Sequence, residues 1–144
     1  MGLALEEARA ARSGGDVPVG AVVLGPGGDV VGRGHNAREA TGDPTAHAEV
    51  LAVRQAATTL GTWRLDGCVL VVTLEPCLAC AGTVILARVP RVVLGAWDPK
   101  AGACGSVWDV VRDRRAVHRA QVVAGVRAPE CAALLRDFFA SVRP

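Results

Sequence analysis

CVLVVTLEPCLACAGTVILARVPRVVLGA, residues Cys68–Ala96, is the stretch on which the fold turns. Its first part, Cys68 to Thr73, is short, almost wholly apolar and bounded by turn signals, the pattern of a strand buried on both faces. Pro76 then stands where a first helical residue tolerates a missing N–H, and the segment from Cys77 to Arg88 continues as a helix until Pro90 breaks it. Arg91 to Ala96 repeats the buried-strand pattern. Strand, helix and strand in that order predict a right-handed crossover with the two strands parallel.

Upstream, Leu3, Ala4, Ala8 and Ala11 recur at roughly helical spacing, which predicts a helix from Leu3 to Arg12 ended by Ser13-Gly14-Gly15. Val19 to Leu24 and Val30 to Gly34 flank the Gly-rich loop Gly25 to Asp29 and read as a strand hairpin. Asp43-Pro44-Thr45 supplies helix-start chemistry before an Ala-rich helix from Ala46 to about Leu60, which Gly61 ends. Downstream, Trp97 to Ser106 reads as a Gly-containing loop, Val107 to Val111 as a short helix, Gln121 to Ala124 as an edge strand and Glu130 to Val142 as an amphipathic helix. Strands alternating with helices and no internal linker predict one α/β domain over residues 1–144.

Composition narrows the function classes. Hydrophobic residues at 51% and charged residues at 21% describe a globular chain, not a disordered one. The apolar runs are short and soon interrupted, far from the ~20 residues of a membrane span. Glu6 and Glu7 lie close to Met1 where a signal peptide would be basic, so the chain is expected to be cytoplasmic. A net charge of +2 excludes a bulk polycation but leaves a local basic site open. Arg112, Arg114, Arg115 and Arg119, with Asp113 among them, form such a local excess, and RNA contact there is one expectation. Five cysteines, an odd number, in a reducing compartment point to metal binding or catalysis before disulfides.

Two short motifs carry chemistry: His47-Ala48-Glu49 and Pro76-Cys77-Leu78-Ala79-Cys80. Cysteines three apart on a helix put both sulfurs on one face, where they can share a metal ion. Adding His47 makes a three-ligand set, the number that catalytic zinc keeps while leaving a fourth position for water. His47 and Glu49, two apart, point to opposite sides of a regular helix and converge only on something beyond its end. Both helix N-termini are therefore expected to aim at one zinc ion, with Glu49 reaching the water bound to it. Zinc lowers the pKa of such water to about 7, and a neighbouring carboxylate can accept and return protons. Hydrolytic chemistry at an electron-poor carbon follows, which on an amino-substituted nucleobase would release ammonia.

Around these motifs, Asp16 to Val22, Gly34-His35-Asn36, Asp43 to Glu49, Thr73 to Cys77, Gly95-Ala96 with Asp98, and Glu130 to Leu135 with Phe138-Phe139 extend the pattern over nearly the whole chain. The chain resembles the bacterial tRNA-specific adenosine deaminases of the zinc-dependent cytidine/deoxycytidylate deaminase superfamily, whose H-x-E and P-C-x-x-C signature it carries. That resemblance implies a three-layer α/β/α sandwich with a central mixed sheet, a homodimer, and hydrolytic conversion of the wobble adenosine in a tRNA anticodon loop to inosine. It implies one Zn2+ per chain on His47, Cys77 and Cys80, with Glu49 as proton shuttle. Asn36 resembles the polar residue that recognises the flipped nucleoside, Val19, Leu74 and the Ala48 backbone its pocket wall, and Asp98 the ribose contact. Phe139 is expected to meet the anticodon loop, core packing being the plainer role for either phenylalanine. Leu78-Ala79 and Trp97 depart from the family pattern, and Trp97 either stacks on a base or merely covers the pocket.

Other readings stay open on the residues alone. A closed structural zinc site requires a fourth ligand, for which Cys68, Cys104 and Cys131 are the candidates. Glu75 supports the metal site or caps the helix that follows it. The same zinc core also serves deaminases of free bases or nucleosides.

Overall fold

A computed structural model describes residues 1–143. Five strands, β1 (Gly20–Leu24), β2 (Val30–His35), β3 (Val69–Leu74), β4 (Arg91–Ala96) and β5 (Gln121–Val123), form one sheet in the order β2-β1-β3-β4-β5. β1 runs antiparallel to β2 and β3, whereas β3, β4 and β5 run parallel. The sheet is therefore mixed, with the parallel pair Val69–Leu74 and Arg91–Ala96 as expected from the apolar runs.

Helices cover both faces. α1 (Gly2–Ser13) and α5 (Ala128–Val142) pack together on one, while α3 (Ala48–Leu60) and α4 (Leu78–Leu86) pack together on the other. A short α2 (Arg38–Thr41) links β2 to α3. Alternation along β1 shows the layering: Val22 joins Ala4 on the α1 side, and Ala21 and Val23 join Ala52 and Ala56 on the α3 side. This is a three-layer α/β/α arrangement.

Small residues set how closely α3 approaches. A Cβ at Gly32 would collide with the Ala52 carbonyl, and one at Gly34 with the Ala48 carbonyl, so the helix lies directly on β2. The N-terminal end of α3 is thereby fixed against the strand that leads to Asn36. Leu70, Val72, Val92 and Leu94 are fully buried in the central strands. Each such side chain stabilises the fold by about 1.5–3 kcal/mol. The central strands thus give α3 and α4 a rigid base.

Two local readings are corrected. Val107 to Val111 forms no helix: the Val107 and Trp108 N–H groups both donate to the Gly102 carbonyl, and Cys104 and Asp109 form an isolated bridge. Asp43 does not start α3 but closes a turn, accepting from the N–H and hydroxyl of Thr45. The helix begins later, with His47 as its N-cap.

Candidate active site

His47 and Cys77 are the N-cap residues of α3 and α4, both with extended backbones before their helices begin. These helices lie side by side on one face of the sheet, so their first turns converge. Cys80, in the first turn of α4, is buried. Nδ1 of His47 lies 3.6 Å from Cys77 Sγ and 3.4 Å from Cys80 Sγ. The three donor atoms all lie within 4.8 Å of one another. A tetrahedral zinc ion with ordinary Zn–N and Zn–S bonds separates a nitrogen and a sulfur ligand by about 3.6 Å, so the donor set fits zinc in type and spacing. Cys68, Cys104 and Cys131 are free thiols outside this group, and the set remains an open three-ligand one among the described residues.

Protonation follows from the same geometry. The Cys80 thiol and then the His47 ring hydrogen-bond to Cys77 and hold it down to about 3, so its thiolate is the favoured form. Cys80 moves the opposite way, because it shares a proton with Cys77 and is buried. Glu49 is 4% exposed and stands beside Cys80. Burial pushes its carboxyl up to about 7, and the Cys77 thiolate pushes in the same direction. Glu49 thus faces the sulfurs from a dry position, on the inner side of the helix that His47 caps.

Asn36 follows β2 and reaches across to α3. Its Oδ1 accepts the Ala48 N–H at 3.0 Å, which supplies the helix with a cap from outside its own sequence. The oxygen is thereby engaged, and the amide NH2 is the group left to meet a substrate. Asp16, 3% exposed, acts similarly on α2 by accepting the N–H groups of Glu39 and Ala40.

Two cavities open among the described residues, and none of His47, Glu49, Cys77 and Cys80 lines either. The smaller, about 490 Å³, is lined by Asn36, Asp16, Arg38 and Phe138 among others. The larger, about 770 Å³, is a groove between the Leu74 end of β3, the segment Ala96 to Ala101 and α5; Trp97, Asp98 and Phe139 line it. The structure therefore brings Leu74, Asp98 and Phe139 together and sets Asn36 in the neighbouring hollow. Val19 and Ala48 are buried and line neither. Phe138, whose neighbour Phe139 alone is expected at the anticodon loop, is the aromatic that shares a cavity with Asn36; the two rings meet edge-to-face at 5.4 Å.

Glu75 is not a helix cap, and it is not among the three metal donors. α4 has no side-chain cap, and the buried Glu75 carboxylate instead accepts the N–H groups of Asp98, Cys104 and Ser106. A Glu directly before a Pro at a strand end was the only signal of it in the sequence.

A three-layer sandwich with two cysteine sulfurs, an imidazole and a buried carboxylate at paired helix N-termini is the architecture of a zinc-binding deaminase. The chain belongs to the cytidine and deoxycytidylate deaminase family, whose zinc-binding region matches residues 1–96. It is 46% identical over 140 residues to a tRNA-specific adenosine deaminase of Bacillus subtilis (strain 168), covering 97% of this chain and 86% of that one. It is 52% identical over 143 residues to a tRNA(Ile)-lysidine synthase of Deinococcus deserti, covering 99% of this chain but only 27% of the length of that relative. A solved structure from work on A-to-I editing by tRNA:A34 deaminases at the wobble position of transfer RNA superposes with a TM-score of 0.90, at 41% identity over 94% of this chain and 97% of that one.

Proposed function

We propose that this chain is a zinc-dependent hydrolase that converts adenosine to inosine at the wobble position of a tRNA anticodon, acting in the cytoplasm as a homodimer. The observation that carries the reading is the buried Glu49 carboxylate beside an open set of three zinc donors. His47, Cys77 and Cys80 hold the metal. Zinc bound there supplies the Lewis acidity that makes water a nucleophile near neutral pH.

Glu49 takes a proton from the attacking water as oxygen adds to C6 of the purine, and delivers it to ring nitrogen N1. It then carries the second proton to the exocyclic amine, which leaves as ammonia while the C6 carbonyl forms. Asn36 donates from its free amide NH2 to the flipped nucleoside, its oxygen being held by Ala48. Leu74 provides apolar wall, Asp98 meets a ribose hydroxyl, and Phe139 meets a base of the anticodon loop. Extruding one base from a loop is the general device of such enzymes.

Substrate choice is decided by incubating the zinc-loaded protein with an anticodon stem-loop bearing a wobble adenosine and, in parallel, with free adenosine, cytidine and guanine. Inosine formed only in the RNA is the expected result. Turnover of the free compounds alone overturns it.

A further inference from the structure

We propose that Glu75 is a positioning residue for RNA binding: one oxygen of its buried carboxylate sets Trp97 and Asp98 at the groove, while the other anchors the far end of the same loop. The proposal rests on reading the groove as the RNA-facing edge of the site.

Glu75 is 2% exposed, and no Lys, Arg or His forms an ion pair with it among the described residues. Its charge is met instead by three backbone donors from one loop. Oε2 accepts the Asp98 N–H at 2.8 Å; Oε1 accepts those of Cys104 at 3.0 Å and Ser106 at 3.1 Å. Charge-assisted bonds of this kind are roughly twice as strong as neutral ones.

The loop is otherwise closed on itself. The Ser106 hydroxyl and the Gly102 N–H both donate to the Asp98 carbonyl. Gly102 lies against the carboxylate so closely that a Cβ there would collide with Oε2. Meanwhile the Glu75 N–H donates to the Ala96 carbonyl, which ties the end of β3 to the residue before Trp97. Glu75 is thus the post around which residues 96–106 wrap, and Asp98, whose own carboxylate is folded back onto the Lys100 and Ala101 N–H groups, inherits its place from Oε2.

The split between the two oxygens makes the proposal specific. A carboxylate offers acceptors on both sides, whereas an amide offers one acceptor and one donor. In Glu75→Gln the amide oxygen satisfies the two-donor side, Cys104 and Ser106, and the NH2 group faces the Asp98 N–H. The Asp98 end of the loop then comes free while the far end stays anchored. A purely structural carboxylate would instead loosen everything together.

The test uses the zinc-loaded full chain and its Glu75→Gln, Asp98→Ala and doubly substituted forms. Amide hydrogen exchange should accelerate at Asp98 by about tenfold or more in Glu75→Gln and stay within about threefold at Cys104 and Ser106, as expected for loss of one buried hydrogen bond. With the anticodon stem-loop, KM should rise about tenfold and kcat stay within about twofold, and Glu75→Gln should add nothing in the Asp98→Ala background. Equal acceleration across the loop, additive effects of the two substitutions, or loss of zinc overturns the proposal. If Glu75→Gln fails to fold, Gly102→Ala crowds the Glu75 carboxylate and the Ser106 hydroxyl that holds the Asp98 carbonyl, and it must raise KM for the stem-loop with kcat held; an unchanged KM overturns the proposal. If the unsubstituted protein turns over no stem-loop, the substrate reading fails, and the exchange pattern still decides the role of Glu75.

Discussion

The metal donors and the groove are held by opposite means. His47, Cys77 and Cys80 occupy the first turns of two packed helices, and their positions follow from backbone geometry repeated through a rigid core. Trp97, Asp98 and Phe139 line a groove whose floor is an irregular loop and whose far wall is the surface of α5, with Trp97 and Phe139 each nearly half exposed. The first arrangement cannot shift without moving a helix; the second rests on individual hydrogen bonds. Chemistry that needs fixed atoms belongs on the first, and docking of a polymer belongs on the second. Substitutions at the centre should therefore change kcat, and substitutions along the groove should change KM.

The sharpest break of that division is Glu49→Ala. Removing a positioned proton carrier should lower kcat by about 10²–10⁴-fold. Zinc content, measured on the purified variant, should stay at one per chain, because Glu49 is not among the three donors. Unchanged turnover refutes the proton-shuttle role; lost zinc makes Glu49 part of the metal site. Asn36→Ala comes next, since it removes both the amide proposed to meet the substrate and the acceptor for the Ala48 N–H at the start of α3. Loss of a buried hydrogen-bond partner costs about 1–3 kcal/mol, so kcat/KM should fall roughly ten- to a hundredfold. An effect confined to KM would place Asn36 with the groove and blur the division.

How much of this was readable depended on how local the cause is. The buried strands and the parallel pair follow from short apolar runs between turn signals, and the zinc donors follow from residue type and spacing. Val107 to Val111 misled because its apolar spacing suits a helix, yet both of its first N–H groups bond to Gly102 and Asp109 pairs with Arg112. Helix α2 went unread for a related reason. Its four residues carry no periodic pattern, and the Asp16 carboxylate that caps it comes from the far side of the β1–β2 hairpin. Glu75 shows the same limit: its three donors lie 23 to 31 residues downstream.

Trp97 sharpens the comparison on the groove side. A ring 46% exposed beside Asp98 has room to stack on an unpaired base. Stacking of a base on an aromatic side chain contributes about 1–3 kcal/mol, so Trp97→Ala should raise KM for the stem-loop by about tenfold with kcat held. Trp97→Phe should recover most of the loss. If Trp97 only covers the pocket, the alanine variant leaves KM unchanged.

The smallest effect concerns the arginine run. Arg112 is paired with Asp109 at 2.9 Å and Arg115 with Asp113 at 2.7 Å, and the Arg115 guanidinium holds the Asp113 carboxyl well below its usual range. Half of the local charge is therefore answered within the protein. Arg114 and Arg119 have no ion-pair partner among the described residues and remain as the two cations that could release counterions from RNA. Each phosphate contact contributes a salt slope of about 0.7–0.9, so replacing both by Ala should flatten the slope of log K against log salt by at most about 2. Arg112→Ala and Arg115→Ala should flatten it less, because each guanidinium is already answered by an acid and displaces fewer counterions from RNA. A slope indifferent to Arg114 and Arg119 takes the run out of the RNA interface and leaves the groove as the docking surface.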